Sequence, residues 1–100
     1  MIVDFIASPI PAYVNIPVQF VDQSTGDPDT WDWDFGDGSL HSYLQNPYHS
    51  YTRQGLYTIS LIITKGFLQS QICKKHYIEI LLEDVAIGFV RYQRPTLIFD

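Results

Sequence analysis

The chain has 100 residues, of which 46% are hydrophobic, 15% aromatic and 17% charged, and its formal net charge is −5. This length predicts one domain, and the apolar content is too high for a disordered chain. The acidic balance argues against a nucleic-acid partner, and no apolar run approaches the roughly 20 residues of a membrane helix. The single cysteine excludes an internal disulfide and a cysteine-based zinc site.

The sequence predicts a series of short β-strands, because apolar side chains alternate with a period of two residues. In chain order, the apolar faces contain Val3 and Phe5; Ile16, Val18 and Phe20; Trp31, Trp33 and Phe35; Tyr57, Ile59, Leu61 and Ile63; and finally Ile78 and Ile80. The last two strands are predicted over residues 67–73 and 75–81. Turn residues separate the strands, and their spacing predicts an all-β sandwich.

Acidic residues are concentrated in the first half of the chain. Residues 1–52 contain seven Asp and no Lys, Arg or Glu, whereas residues 53–100 contain six basic and four acidic residues. Six of the aspartates lie within residues 22–37, a grouping compatible with a calcium ion because hard cations prefer carboxylates. Turn and cap roles are the simpler interpretation, since Asp bonds its own backbone. The spacing matches no regular metal-binding loop, so no metal or other cofactor is predicted.

A seven-residue motif, WDFGDGS at residues 33–39, resembles the signature of the PKD domain family. Four further segments resemble family elements in the same order: VDFIASP at 3–9, VQFVDQSTG at 18–26, NPYHSY at 46–51 and GLYTISL at 55–61. The resemblance covers about residues 2–81. It implies an immunoglobulin-like, two-sheet antiparallel β-sandwich, which we place at residues 1–82, and it leaves the function open because one fold hosts many functions.

The motif residues have structural roles in this interpretation. Trp31, Trp33 and Phe35 supply large apolar area to the core on alternate positions. Gly36 and Gly38 allow positive φ in a tight reversal of the chain. We therefore expect this motif to build the scaffold.

Three further residues are predicted to support the motif. Tyr51 resembles a corner tyrosine whose hydroxyl holds a loop. His49 is expected to bond nearby backbone or a carboxylate, and Tyr57 belongs to the inward face of the strongest strand.

No catalytic constellation is predicted, so the chain is not expected to be an enzyme. Cys73, followed by two lysines and a histidine at residues 74–76, has the neighbours of a low-pKa thiol. A strand residue with flanking surface charges is the simpler interpretation. Asp34 and Asp37 resemble a glycosidase carboxylate pair, but the Gly-Asp-Gly turn accounts for them. The three histidines lack metal-ligand spacing, and no phosphate-binding loop occurs.

Residues 83–100 follow the resemblance and are too apolar for a solvated tail, with nine apolar residues among eighteen. We predict that they form an arm or extra strand that contacts another subunit, chiefly through Val85, Ile87, Phe89, Leu97 and Phe99. In the alternative, the arm folds back over its own sheet.

Apolar residues on the predicted outward faces are compatible with both arrangements, because contiguous outward apolar residues mark partner contacts. These residues are Ile2, Ile6, Ile62 and Leu68.

Two classes of function follow. The first is a non-catalytic surface subunit of a larger assembly, with virion (capsid) decoration favoured because the chain begins with Met, shows no export signal and ends in an apolar arm. The second, implied by the PKD resemblance, is an adhesion, spacer or binding module of a secreted or cell-surface protein. An exposed strip of Tyr13, Tyr43 and Tyr48 would then favour carbohydrate or protein. The expected partners are proteins, with carbohydrate as the second class, and neither nucleic acid nor membrane insertion is expected.

Overall fold

The computed structural model describes residues 1–82, and the arm residues Val85, Ile87, Phe89, Leu97 and Phe99 lie outside them. Within the described part the regular structure consists of strands alone. They are β1 (Phe5–Ser8), β2 (Ala12–Tyr13), β3 (Val18–Asp22), β4 (Thr30–Asp34), β5 (Tyr48–His49), β6 (Gly55–Lys65) and β7 (Leu68–Leu81).

The strands form two sheets, one in the order β1-β3-β5 and the other in the order β2-β7-β6-β4. This is the predicted two-sheet β-sandwich. The neighbours are antiparallel except β2 and β7, which run parallel through the pairs Ala12–Ile80 and Tyr13–Leu81. The parallel pair was not predicted, because alternation reports the face that a side chain takes and not the direction of the neighbouring strand.

The core lies between the sheets and is built from alternate positions of the long strands. The fully buried apolar side chains include Phe5, Val18, Phe20, Trp33, Ile59, Leu61, Ile63 and Ile78. Trp33 lies at the centre of an aromatic group, with its ring centroid 5.1 Å from that of Phe5 and 5.5 Å from that of Phe20. Edge-to-face and tilted pairs of this kind are favourable beyond the area that they bury.

The structure differs from the predicted strands at two places. Ile16 lies in a turn before β3 and is 43% exposed, because its N–H donates to the carbonyl of Tyr13 and closes that turn. The two strands predicted over residues 67–73 and 75–81 are one continuous strand, β7.

A bulge inside β7 explains why the sequence pattern breaks there. Tyr57 pairs with Ile78 and Ile59 pairs with Lys74, so residues 75–77 lie opposite Thr58 alone. His76, inside this bulge, has a φ of 52°, and its N–H donates to the Thr58 hydroxyl over 3.1 Å. The bulge adds two residues to β7. Because this number is even, alternate side chains before and after the bulge point to the same face of the sheet.

We predict that Trp33→Ala lowers the free energy of unfolding by about 3–5 kcal/mol, the usual cost of truncating a buried aromatic side chain. The substitution also removes the Nε1 hydrogen bond to the Leu44 carbonyl. Urea unfolding followed by circular dichroism measures the change. Leu40→Ala is the control, because Leu40 is 91% exposed and should lose less than about 0.5 kcal/mol. A loss below about 1 kcal/mol for Trp33→Ala would contradict its place in the core.

Candidate functional site

The motif loop, residues 34–39, begins at the last residue of β4 and turns the chain back along the sandwich. Gly36 has a φ of 81°, and a Cβ at this position would lie 2.2 Å from the carbonyl oxygen of Thr58. The Asp34 carboxylate accepts a hydrogen bond from the Gly36 N–H. Gly38 has a φ of 79°, and a Cβ there would meet no other atom, so only the backbone conformation favours glycine at this position. At position 36 the close approach to β6 also requires glycine.

The turn brings Asp37 against His49 on β5. The His49 Nε2 atom lies 2.7 Å from Asp37 Oδ2, and both side chains are mostly buried, at 16% and 18% exposure. The hydroxyl and N–H of Ser39 both donate to Asp37 Oδ1. The His49 ring stacks on Phe35 at a centroid distance of 4.1 Å. These contacts hold the loop against the smaller sheet.

The contacts of Asp37 determine its ionisation. Partial burial raises the pKa of Asp37. Hydrogen bonds from Ser39 and His49 lower it by more than burial raises it, so the pKa lies below the ordinary value of 3.8. The carboxylate is therefore ionised at neutral pH. Since an ionised carboxylate only accepts, the Nε2 atom of His49 is the donor in this pair.

Tyr51 anchors the same loop from inside the core. Its side chain is fully buried, and its hydroxyl donates to the Phe35 carbonyl over 2.9 Å. Its ring stacks on Tyr57 at 4.2 Å, and the Tyr57 hydroxyl donates to the Arg53 carbonyl. Burial raises the pKa of Tyr51, so it remains a hydrogen-bond donor across the physiological range.

The Ser39, His49 and Asp37 side chains do not form a catalytic triad. A triad places its serine and its carboxylate on opposite nitrogens of the imidazole ring. Here Asp37 and the Ser39 hydroxyl, 3.5 Å away, approach the same atom, Nε2. Because Nε2 donates its own proton to Asp37, it cannot accept the proton of the Ser39 hydroxyl.

The aspartates of residues 22–37 connect loops in the described part of the chain. Asp22 accepts hydrogen bonds from the Ser24 N–H, the Trp31 indole and the Gln45 amide. Burial raises the pKa of Asp22, but these bonds lower it more. Within residues 1–82, no three His, Cys, Asp or Glu side chains come together in an arrangement that could hold a metal ion.

Two other side chains lie apart from this loop. Cys73 is exposed on the outward face of β7. Lys74, interpreted from the sequence as a surface charge, points the other way, into the gap between the sheets. Its ammonium lies 3.0 Å from Asp4 Oδ1 and 4.5 Å from the centroid of the Phe5 ring. The period-two spacing from Ile72 was the sequence signal for this inward position.

Large apolar side chains remain exposed on the crossover segment, residues 40–46, which connects β4 to β5. Together with Tyr48 on β5, we call them the crossover patch: Leu40, Tyr43, Leu44 and Tyr48. Ser42 pairs with Trp33, and the Leu44 carbonyl accepts the Trp33 indole bond. The segment is thus fixed by the core, while its apolar side chains face outward. Tyr13 lies on β2, at the opposite edge of the larger sheet, so the three-tyrosine strip does not form.

Two packed sheets, antiparallel except for the β2–β7 pair, together with a buried tyrosine corner define an immunoglobulin-like β-sandwich. A family model described as PKD domain matches residues 10–80. The chain belongs to the PKD domain family, as the sequence resemblance predicted. It is similar to the crystal structure of the PKD1 domain of Vibrio anguillarum Epp, with a TM-score of 0.64, 26% sequence identity, and coverage of 79% of this chain and 93% of that chain.

This membership bears on the class of function. PKD domains are generally non-catalytic modules and are typically extracellular. Residues 1–82 contain no helix with the length and hydropathy to cross a membrane.

We predict that Asp37→Asn lowers the free energy of unfolding at pH 7 by about 1.5–3 kcal/mol, the range for hydrogen bonds to a charged group. The folded-state pKa of Asp37 lies below its ordinary value. The ionised group therefore stabilises the fold above about pH 4, and this contribution is lost as pH falls through the folded-state pKa. Urea unfolding between pH 7 and pH 2 should show a shallower acid-side loss for the variant.

Asp27→Asn is the matched control for this experiment. The Asp27 side chain is 98% exposed, so its change should stay within about 0.5 kcal/mol at every pH. Equal effects of the two substitutions would show that the Asp37 contacts contribute nothing specific.

Proposed function

We propose that this protein is a non-catalytic interaction module that attaches to the outside of a larger assembly. One contrast carries the proposal. The polar groups of the motif loop bond one another and the backbone, as in the contacts of Asp37 and Tyr51. The large apolar side chains of the crossover patch, in contrast, face solvent.

The crossover patch is the surface that we assign to binding. Tyr43 and Leu44 are 69% and 66% exposed, on a segment that the Trp33–Ser42 pair holds in place. A pre-ordered apolar surface loses little conformational entropy on binding, which favours its use as an interface. Tyrosine suits such a site because it combines apolar area with a hydroxyl that bonds at the rim.

The assembly that we favour is a virion, with this chain as a surface decoration or minor structural subunit. The support is the apolar composition of residues 83–100, where a spacer between tandem domains would carry a polar linker. The second candidate is an adhesion, spacer or carbohydrate-binding module at a cell surface, which family membership supports. Immunogold labelling of purified particles tests the first, and binding to a polysaccharide array tests the second.

The mass of the native complex that contains this chain tests the proposal of an assembly. We predict that light scattering on material from the natural source finds the chain in a complex much larger than its own monomer. A chain truncated after Leu82 should fold, as shown by circular dichroism, but should be recovered free of the complex. Recovery of the full chain as a free monomer would contradict the assembly, and normal incorporation of the truncated chain would contradict the role of the arm.

The crossover patch has its own test. We predict that the double variant Tyr43→Ser/Leu44→Ser unfolds within about 1 kcal/mol of the wild type, because both side chains are exposed, and yet joins the native complex poorly. Phe67→Ser is the matched control, since Phe67 is fully exposed in the turn between β6 and β7. Equal incorporation of the double variant and the control would remove the patch from the binding surface.

A further inference from the structure

The outer edge of β7 is the longest bare edge in the described part of the chain. β7 pairs with β6 along one edge, but on its other edge only Ile80 and Leu81 have a neighbour, β2. From Leu68 to Lys74, no strand of residues 1–82 lies beside this edge. A bare edge presents unpaired N–H and C=O groups to any other strand. This stretch of seven residues exceeds the usual strand length of about 5–6 residues.

The composition of this edge suits pairing with an identical segment. Residues 68–73 read LQSQIC and contain no charge, no Pro and no Gly. Uncharged six-residue segments of this kind pair readily with copies of themselves, and glutamines add hydrogen-bonded ladders between identical strands. Gln69 and Gln71 both occur here, on the outward face together with Cys73. A second copy of the same chain is therefore the partner that this edge fits.

Lys74 follows the uncharged stretch, and its charge opposes pairing of this edge with another strand. It pairs with the buried Ile59, so its side chain points inward, where an apolar residue is expected. Its ammonium lies over the rings of Phe5 and Tyr77, 4.5 Å and 4.8 Å from their centroids, and donates to the Phe5 carbonyl. With Asp4, the residue before β1, it forms an ion pair across the open side of the sandwich, where the Ser70 hydroxyl also donates to the Met1 carbonyl.

We propose that the outer edge of β7 from Leu68 to Lys74 is a pairing surface for a second copy of this chain, and that Lys74 keeps it closed. The Lys74 ammonium is partly solvated, with the side chain 24% exposed at the open side. A strand added at this edge would cover the open side and remove the ammonium from water, which is costly for a charge. Inward-pointing charges on edge strands are a known protection against edge-to-edge pairing.

The outer edge of β7 lies on the other side of the sandwich from the crossover patch, so the proposals for these two surfaces are tested independently. Sheet order places β7 two strands away from β4, which carries the crossover segment at its edge. Variants in one surface therefore leave the other unchanged.

The experiment compares self-association of three variants by sedimentation velocity over a range of concentrations at pH 7. Lys74→Met keeps the length of the side chain without its charge, and we expect at least about tenfold tighter self-association than in the wild type. Lys74→Arg keeps the charge and should behave like the wild type. Lys75→Met is the matched control, because it removes the same charge at the exposed neighbouring position. Near-UV circular dichroism and thermal unfolding, recorded on the same samples, identify any variant that is not folded.

A double variant locates the interface. Lys74→Met/Gln71→Lys adds a charge on the outward face of the same edge, and we expect it to return to the monomeric state. A folded Lys74→Met protein that associates no more than the wild type would overturn the proposal. Equal association of Lys74→Met and Lys75→Met would also overturn it, because a general effect of net charge would then suffice. Continued association of the double variant would show that another surface is used. If Lys74→Met does not fold, Lys74→Gln takes its place with the same expectations.

Discussion

The burial of Trp33 between the two sheets is the constraint on which the rest of this structure depends. Its ring contacts Phe5 and Phe20 from the opposite sheet, so it fixes the separation and alignment of the two layers. A buried indole N–H must find an acceptor, and here it bonds to the Leu44 carbonyl. The backbone of Trp33 also pairs with Ser42. The same residue thus positions the core and the crossover segment that leaves it.

The motif loop shows how a polar sequence motif can be structural. Asp37, His49 and Ser39 bond one another, and Tyr51 bonds the loop backbone from within the core. Each of these groups would be a candidate for catalysis if its partners were absent. Because these groups bond one another in a partly buried setting, they hold the conformation of the loop. Interaction surfaces are therefore to be sought on the outward side chains that the loop and its neighbours present.

The two lateral sides of the sandwich are closed in different ways. On one side the crossover segment runs from β4 to β5 and covers the opening with backbone and apolar side chains. On the other side Lys74 reaches from β7 to Asp4 and the Phe5 carbonyl, and the Ser70 hydroxyl donates to the Met1 carbonyl. The covered side offers side chains to a partner, whereas the other side leaves the β7 edge from Leu68 to Lys74 without a neighbouring strand in the described residues.

The sequence by itself determined the inward faces and the family, and the tertiary structure decided the neighbours. Burial at Ile59, Leu61 and Ile63 follows from alternation along one strand, and the residues around Trp33 carry the PKD resemblance. Both signals are local in sequence, so they can be recognised without the structure. The parallel direction of β2 and the bulge at residues 75–77 depend on which strands lie side by side. That choice is made by packing between residues distant in sequence, which is why Tyr13 and Tyr43 lie at opposite edges of one sheet and why the exposed surfaces could not be located from the chain alone.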